Sequence, residues 1–397
     1  MELSIDILSS YPPVQEAEVD KVLAEEIRDN EKKIVVLDDD PTGVQTVHDI
    51  SVYTNWEKAS IEQGFAEENK LFYILTNSRG FTAAQTEKAH KEIAEVVDQV
   101  AKETGKEYLF ISRSDSTLRG HYPLETTILK DEYEKNTGKK IDGEVLCPFF
   151  KEGGRFTIDD VHYVQYDDTL VPAAETEFAK DKTFGYTVSN LKEYVEEKTQ
   201  GAYKKENVTA ISLENIRELN YDKIEEQLLA VEDFNKVIVN AIDYVDVKIF
   251  CVALFRAMKK GKNFMFRTAA AIVKVMGGVS NQPLLTREQM VVKETDNGGI
   301  IVVGSHTDKT TRQMEKLREN KDIAFVELNA TLVNDEAAFA EEVERCLALE
   351  EEYISSGKSV CVYTTRALIT ADTGDKEDDL RLSVRISDAV QSLVGRL

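Results

Sequence analysis

Short apolar runs alternate with longer stretches of helical period along most of the chain. Runs at 34–37 (IVVL), 71–76 (LFYILT), 107–112 (EYLFIS), 143–150 (GEVLCPFF), 208–212 (VTAIS), 236–241 (KVIVNA), 300–303 (IIVV), 323–328 (IAFVEL) and 359–363 (SVCVY) predict strands. Helical stretches lie between them; in 82–103, Ala89, Ile93, Val96, Val97 and Val100 fall on one face at 3.6-residue spacing. Strands that are apolar throughout, separated by helices, imply parallel sheets covered on both faces, the α/β class. The stretch 161–171 (VHYVQYDDTLV) alternates at period two and predicts an exposed antiparallel hairpin. Glycine pairs bound the segment 277–299, which also holds a proline, and the expected division falls there. The first α/β domain is expected over 1–276, a linker over 277–297 and the second α/β domain over 298–397.

Composition narrows the class of partner. A chain of 397 residues, 42% hydrophobic and 31% charged, has the make-up of a two-domain globular protein. Its net charge of −24 argues against nucleic acid and against an anionic membrane surface. An acidic protein that binds an anion must concentrate its arginines at the ligand, so their positions are informative. Cys147, Cys251, Cys346 and Cys361 show no paired spacing and are expected to be reduced core thiols. No run approaches the length of a membrane span and the N-terminus lacks signal-peptide features, so the expected location is the cytoplasm.

Ligands of open α/β sheets bind beyond the carboxyl ends of the strands. There the chain places Asp38-Asp39-Asp40-Pro41-Thr42-Gly43, Asn77-Ser78-Arg79-Gly80, Arg113-Ser114-Asp115-Ser116-Thr117-Leu118-Arg119-Gly120 and Lys151-Glu152-Gly153-Gly154-Arg155. Each alone is better explained by helix capping. Together they bring carboxylates, hydroxyls and arginines to one rim, which suits a small hydroxylated anion. Three adjacent aspartates after a buried strand need a cation, a bound hydroxyl or a basic neighbour to offset their repulsion. In the second domain, strand 300–303 leads through Gly304-Ser305-His306-Thr307 into a helix whose free N–H groups suit a phosphate, although Thr307 or Asp308 could simply cap it. The five histidines show no metal-binding spacing.

Two families share this aspartate run. IVVLDDDPT resembles the opening motif of haloacid-dehalogenase-type phosphatases, which implies Asp38 as nucleophile and Asp40 as acid/base. DDPTG at 39–43, SDSTLRG at 114–120, FRTAAAIVKVMGG at 266–278 and GGIIVVGSHTDKTTRQ at 298–313 resemble the four-carbon acid sugar kinases, over nearly the whole chain. The second resemblance implies an N-terminal sugar-acid domain and a C-terminal nucleotide domain that close on each other. It also implies ATP-dependent phosphorylation of threonate, erythronate or an oxo-tetronate, with Mg²⁺. Asp39 and Asp40 would be catalytic. Arg79, Arg113, Ser114, Asp115, Ser116, Thr117 and Arg119 would bind the sugar acid, and Gly304, Ser305, His306 and Thr307 the nucleotide. Partners would be the sugar acid and ATP, with a homodimer left open as the assembly. Arg113 stands where the family usually has lysine, and the chain ends short of the Gly-rich segments that the resemblance leads one to expect. A non-catalytic sugar-acid-binding protein is therefore a third expectation.

Overall fold

Each of the nine apolar runs forms a strand in the computed structural model, which describes residues 1–291, 293–371 and 373–397. In chain order the strands are β1 (Leu3–Ser4), β2 (Lys33–Asp38), β3 (Val52–Tyr53), β4 (Leu71–Leu75), β5 (Tyr108–Arg113), β6 (Gly143–Cys147), β7 (Arg155–Ile158), β8 (Val161–Tyr166), β9 (Thr169–Pro172), β10 (Thr209–Ile211), β11 (Asn235–Val239), β12 (Phe264–Thr268), β13 (Ile300–Val303), β14 (Ile323–Leu328) and β15 (Ser359–Thr364). The run expected to reach residue 150 leaves the sheet after Cys147, where Pro148 has no N–H for the ladder. The chain divides into two units, Met1–Gln282 and Pro283–Leu397.

In the first unit eight strands form one parallel sheet, ordered β10-β11-β6-β12-β5-β2-β4-β3. Side-chain alternation divides its core in two. Ile34, Val36, Leu71, Leu109, Ile111 and Phe266 face a layer that includes the helices Glu16–Asp29 and Tyr244–Lys259. Val35, Leu37, Phe72, Ile74 and Phe110 face the helices Lys58–Ala66, Ala83–Thr104 and Leu124–Thr137. Burial on both faces is why these strands read as unbroken apolar runs. From β2 the chain passes to one side, through β3 to β4. From β5 it passes to the other, to β6. The reversal puts a switch point between β2 and β5.

Strand β12 had no counterpart among the expected runs. Its five residues include Arg267, which breaks the apolar pattern, yet it lies between β5 and β6 in the middle of the sheet. The stretch 161–171 does form an antiparallel hairpin, β8 and β9, but not an exposed one. It is the centre of a four-stranded sheet, β1-β9-β8-β7, with Tyr163, Val164 and Leu170 buried. Both faces of β8 are covered, with Tyr163 in one apolar cluster and Val164 in another.

The second unit has a parallel sheet ordered β13-β15-β14. Val326, Leu328, Val360 and Val362 pack with Phe339, Val343 and Leu347 of helix Glu336–Ser355 and with Leu382 and Leu393 of helix Lys376–Arg396. Both units are thus α/β with mainly parallel sheets. All four cysteines are buried and unpaired. Among the described residues no helix is long and apolar enough to cross a membrane.

Candidate functional site

The aspartate run lies at the switch point, and an arginine offsets it. Arg113, the last residue of β5 and the register partner of Asp38, turns its guanidinium into the run. Its Nη1 lies 3.0 Å from Asp38 Oδ1, 3.2 Å from Asp39 Oδ1 and 3.3 Å from Asp40 Oδ1. Arg79 supplies the second cation. Its Nη2 and Nε donate to the two oxygens of Asp39 at 2.6 and 3.2 Å, and its Nη1 pairs with Asp40. Asn77 places Arg79 there: at φ 56° it reverses the chain after β4, so that the Arg79 N–H donates to Asp39 O at 3.2 Å. Asparagine tolerates that left-handed geometry better than most residues. Ser114 Oγ completes the set, donating to Asp39 Oδ2 at 2.6 Å.

The three aspartates differ electrostatically. Asp38 is 1% exposed, and neither carboxylate oxygen makes a hydrogen bond. Burial, only partly countered by Arg113, pushes its carboxyl up to about 7. Burial also works upward on Asp40, but Arg79, Arg113 and the Thr42 hydroxyl and N–H outweigh it and hold that carboxyl below the usual range. Asp40 is also the most open of the three, with 19% of its side chain exposed.

Oxygens of all three carboxylates lie within 4.8 Å of one another, a spacing that would admit a metal ion. The point where they converge already holds Arg113 Nη1, however, and Mg²⁺ requires oxygens at about 2.1 Å in octahedral array. The trio does not fit a resident Mg²⁺.

The 114–120 loop closes the site beside β12. Asp115 binds Thr117 Oγ1 and Arg119 Nε, the latter at 2.6 Å. Burial would raise its carboxyl, but Arg119 and then Arg79 hold it far below the usual carboxylate range. Ser116 engages through its carbonyl, which lies 2.8 Å from His162 Nε2. Tyr186 and Tyr194 hydroxyls donate to the carbonyls of Thr117 and Leu118, both at 2.8 Å. They hold Leu118 at φ 70°, a left-handed conformation costly for leucine. Gly120, at φ 114°, has no room for a side chain: a Cβ there would lie 2.8 Å from Ser114 Oγ and 3.1 Å from Asp39 Oδ2.

Sequence reasoning missed a supporting cluster. Glu125, 1% exposed in the first turn of helix Leu124–Thr137, accepts from Ser78 Oγ at 2.7 Å and Ser112 Oγ at 3.3 Å, with His90 Nε2 3.8 Å away. Ser78 and Ser112 precede Arg79 and Arg113, so Glu125 ties both arginine backbones to the helix layer. Arg267 was missed as well; its Nη2 donates to Arg119 O at 2.7 Å. The available signal was the polar Arg267-Thr268 pair, ending a short apolar run as Arg113 ends its own.

Gly304, Ser305, His306 and Thr307 all lie in the second unit, between β13 and helix Asp308–Leu317. Thr307 caps the helix, accepting from Thr310 N. Ser305 Oγ lies 3.2 Å from the hydroxyls of Thr307 and Thr310. A Cβ at Gly304 would meet nothing within 4 Å, so the chain's own packing does not require glycine there. Burial, with Arg366 nearby, lowers the His306 pKa.

Comparison with known proteins places the chain in a family. Residues 34–276 match the family model described as a sugar-binding N-terminal domain, and residues 300–397 one described as a nucleotide-binding C-terminal domain. No curated protein matches the chain in sequence. Among solved structures, a Salmonella typhimurium LT2 protein described provisionally as a tRNA synthase has a similar fold, with a TM-score of 0.51 at 15% identity over 91% of this chain and 81% of that one. A Haemophilus influenzae protein aligns with a TM-score of 0.46 at 17% identity over 91% of this chain and 82% of that one. A Bordetella bronchiseptica domain of unknown function, solved with bound citrate as a domain-swapped dimer, aligns with a TM-score of 0.45 at 16% identity, over 92% and 80% of the two chains. With a sugar-binding and a nucleotide-binding match in that order, the first covering more than half its length, the chain belongs to the family that has the two-domain architecture of the four-carbon acid sugar kinases.

Proposed function

We propose that the protein is an ATP-dependent kinase that phosphorylates a hydroxyl of a four-carbon sugar acid: threonate, erythronate or an oxo-tetronate. The observation that carries this reading is an aspartate–arginine cluster at the switch point of the sugar-binding domain, in a chain with a separate domain of nucleotide-binding type. Phosphoryl transfer needs a positioned hydroxyl, a carboxylate to receive its proton and cations to offset developing charge. Asp40, the open member of the trio, takes the hydroxyl proton. Its lowered pKa keeps it ionised at neutral pH. Asp39, with Arg79, Arg113 and Ser114 on its oxygens, fixes the cluster. Thr117, Ser116 and the Asp115–Arg119 pair line the sugar-acid side, and the Gly304–Thr307 turn meets the ATP phosphates. Any Mg²⁺ that the reaction uses would have to be held by groups other than the aspartate trio.

The phosphatase alternative requires Asp38 to attack phosphorus. At 1% exposure, with Gly43 packed against its carboxylate, Asp38 is out of reach of a substrate, which argues against that reading. A coupled ADP-release screen across tetronate stereoisomers tests the kinase. Turnover of at least one stereoisomer, lowered about 10²–10⁴-fold in Asp40→Asn, supports it. Release of phosphate from phosphorylated tetronates without ADP formation overturns it. Calorimetric binding of tetronates without any affinity for ATP would leave a sugar-acid-binding protein instead.

A further inference from the structure

We propose that Arg155 receives the carboxylate of the substrate, with Arg119 beside it as the second cation of an anion subsite; this inference rests on the sugar-acid reading. In an acidic chain the arginines that hold no carboxylate are the informative ones. Arg79 and Arg113 are committed to the aspartate trio and Arg119 to Asp115. Arg155 has no carboxylate partner among the described residues. Gly153-Gly154 precede it, Gly154 at φ 71°, and turn the chain into β7 so that the Arg155 side chain lies near Asp115 and Arg119.

The three guanidinium nitrogens differ: one is bonded to the chain and two make no hydrogen bond. Nη1 donates to Gly153 O. Nε is buried without any partner, and Nη2 has no bond either but is not sealed off. The Nε/Nη2 edge is the one with which Arg79 grips both oxygens of Asp39 in this same site. It is the edge suited to a bidentate carboxylate. Phe178 orients the pair: the guanidinium carbons of Arg119 and Arg155 lie 5.1 and 5.5 Å from its ring centroid. Two guanidinium groups on one ring repel each other; burial chiefly lowers the Arg155 pKa, against the upward pull of Asp115, and Arg119 adds to the lowering. An anion between them removes that repulsion and satisfies the orphaned Nε–H. Asp115, the carboxylate with the largest electrostatic effect on Arg155, cannot serve, because Arg119 and Thr117 already bind it.

Arg267, the other rim arginine without a carboxylate, is 6% exposed and holds the Arg119 carbonyl. Its place is in support of the loop.

The test has two arms on the full chain. In the first, arginine Nε–H resonances are followed during titration with glycolate and, separately, with inorganic phosphate. A saturable shift of the Arg155 Nε–H with glycolate, missing in Arg155→Met, supports the subsite. No shift with glycolate overturns it, and a shift with phosphate alone overturns the assignment to a carboxylate. In the second arm, Arg155→Met raises KM for the tetronate about 10-fold or more, the size of a charged hydrogen-bonded contact, with KM for ATP unchanged. Arg155→Lys, which keeps the charge but loses the fork, falls between. An unchanged KM for the acid in Arg155→Met overturns the inference while leaving the kinase intact. If no tetronate turns over, the kinase fails and the glycolate titration still decides the subsite.

Discussion

Replacing Asp38 by asparagine should stabilise the protein relative to wild type as pH rises, by an amount that follows from its burial. An aspartate whose carboxyl moves from the ordinary 3.8 to about 7 on folding holds its proton more tightly in the native state. Between those values the unfolded chain has lost the proton and the folded chain has not. Native stability therefore falls as pH rises through this window and levels off above it. At about 1.36 kcal/mol per tenfold in proton affinity, the full effect is about 4 kcal/mol, of which more than half falls between pH 5 and 8. Asp38 is 1% exposed, so solvent screening takes little from that figure. Asparagine keeps the shape and cannot titrate, and Asp39 and Asp40 still pair with Arg113 in the variant. The assay is urea unfolding of both proteins at pH 5, 6, 7 and 8. Trp56, the only tryptophan, reports on the first unit. The stability of Asp38→Asn minus that of wild type should climb by about 2–3 kcal/mol across the series. A flat difference, or one that falls with pH, would show that Asp38 is ionised in the native state at neutral pH and would refute the reasoning.

Two further outcomes follow from the same geometry. A Cβ at Gly43 would fall 2.2 Å from Asp38 Oδ2, so Gly43→Ala should force that carboxylate aside and cost about 1–3 kcal/mol by urea unfolding. Most of that loss should vanish when Asp38→Ala is added, and strictly additive effects would count against the contact. Tyr194→Phe removes the O–H that holds the Leu118 carbonyl, so it should destabilise by about 1–3 kcal/mol and, on the kinase reading proposed above, raise KM for the sugar acid while KM for ATP stays put. Equal changes in both KM values would mean that the loop does not serve one substrate alone.

The sheets were legible because burial on both faces writes strands as apolar runs that no other element imitates so well. Strand β12 escaped because its carboxyl end carries Arg267, and a five-residue run closed by a charge looks like a loop. The rim loops could be found from residue type alone, since aspartate, serine and arginine gather where strands end. Their pairing could not. Nothing local says that Arg113 rather than a metal would meet all three aspartates, because that follows from the side-by-side register of β2 and β5. Glu125 was illegible for the same reason, as its partners Ser78 and Ser112 are distant in sequence and meet only in the folded sheet. Arg155 stood in plain view beside two glycines, but its lack of a carboxylate partner is a property of the folded state.

The position of β12 also sets the order in which this molecule can be made. It is the last strand of its sheet to be synthesised and the one that joins β5 to β6. A nascent chain that has not yet reached Phe264 carries two sheet fragments whose facing edges are long, apolar and unpaired. Such edges invite pairing with other chains. Completing the sheet requires closing a loop of more than a hundred residues back to β5, a slow step for a parallel topology. Release of the segment around 264–268 from the ribosome is thus the event that commits the first unit to its native form. Chains cut short before it should collect as aggregates, even though they already contain the aspartate trio, Arg79, Arg113 and Arg155.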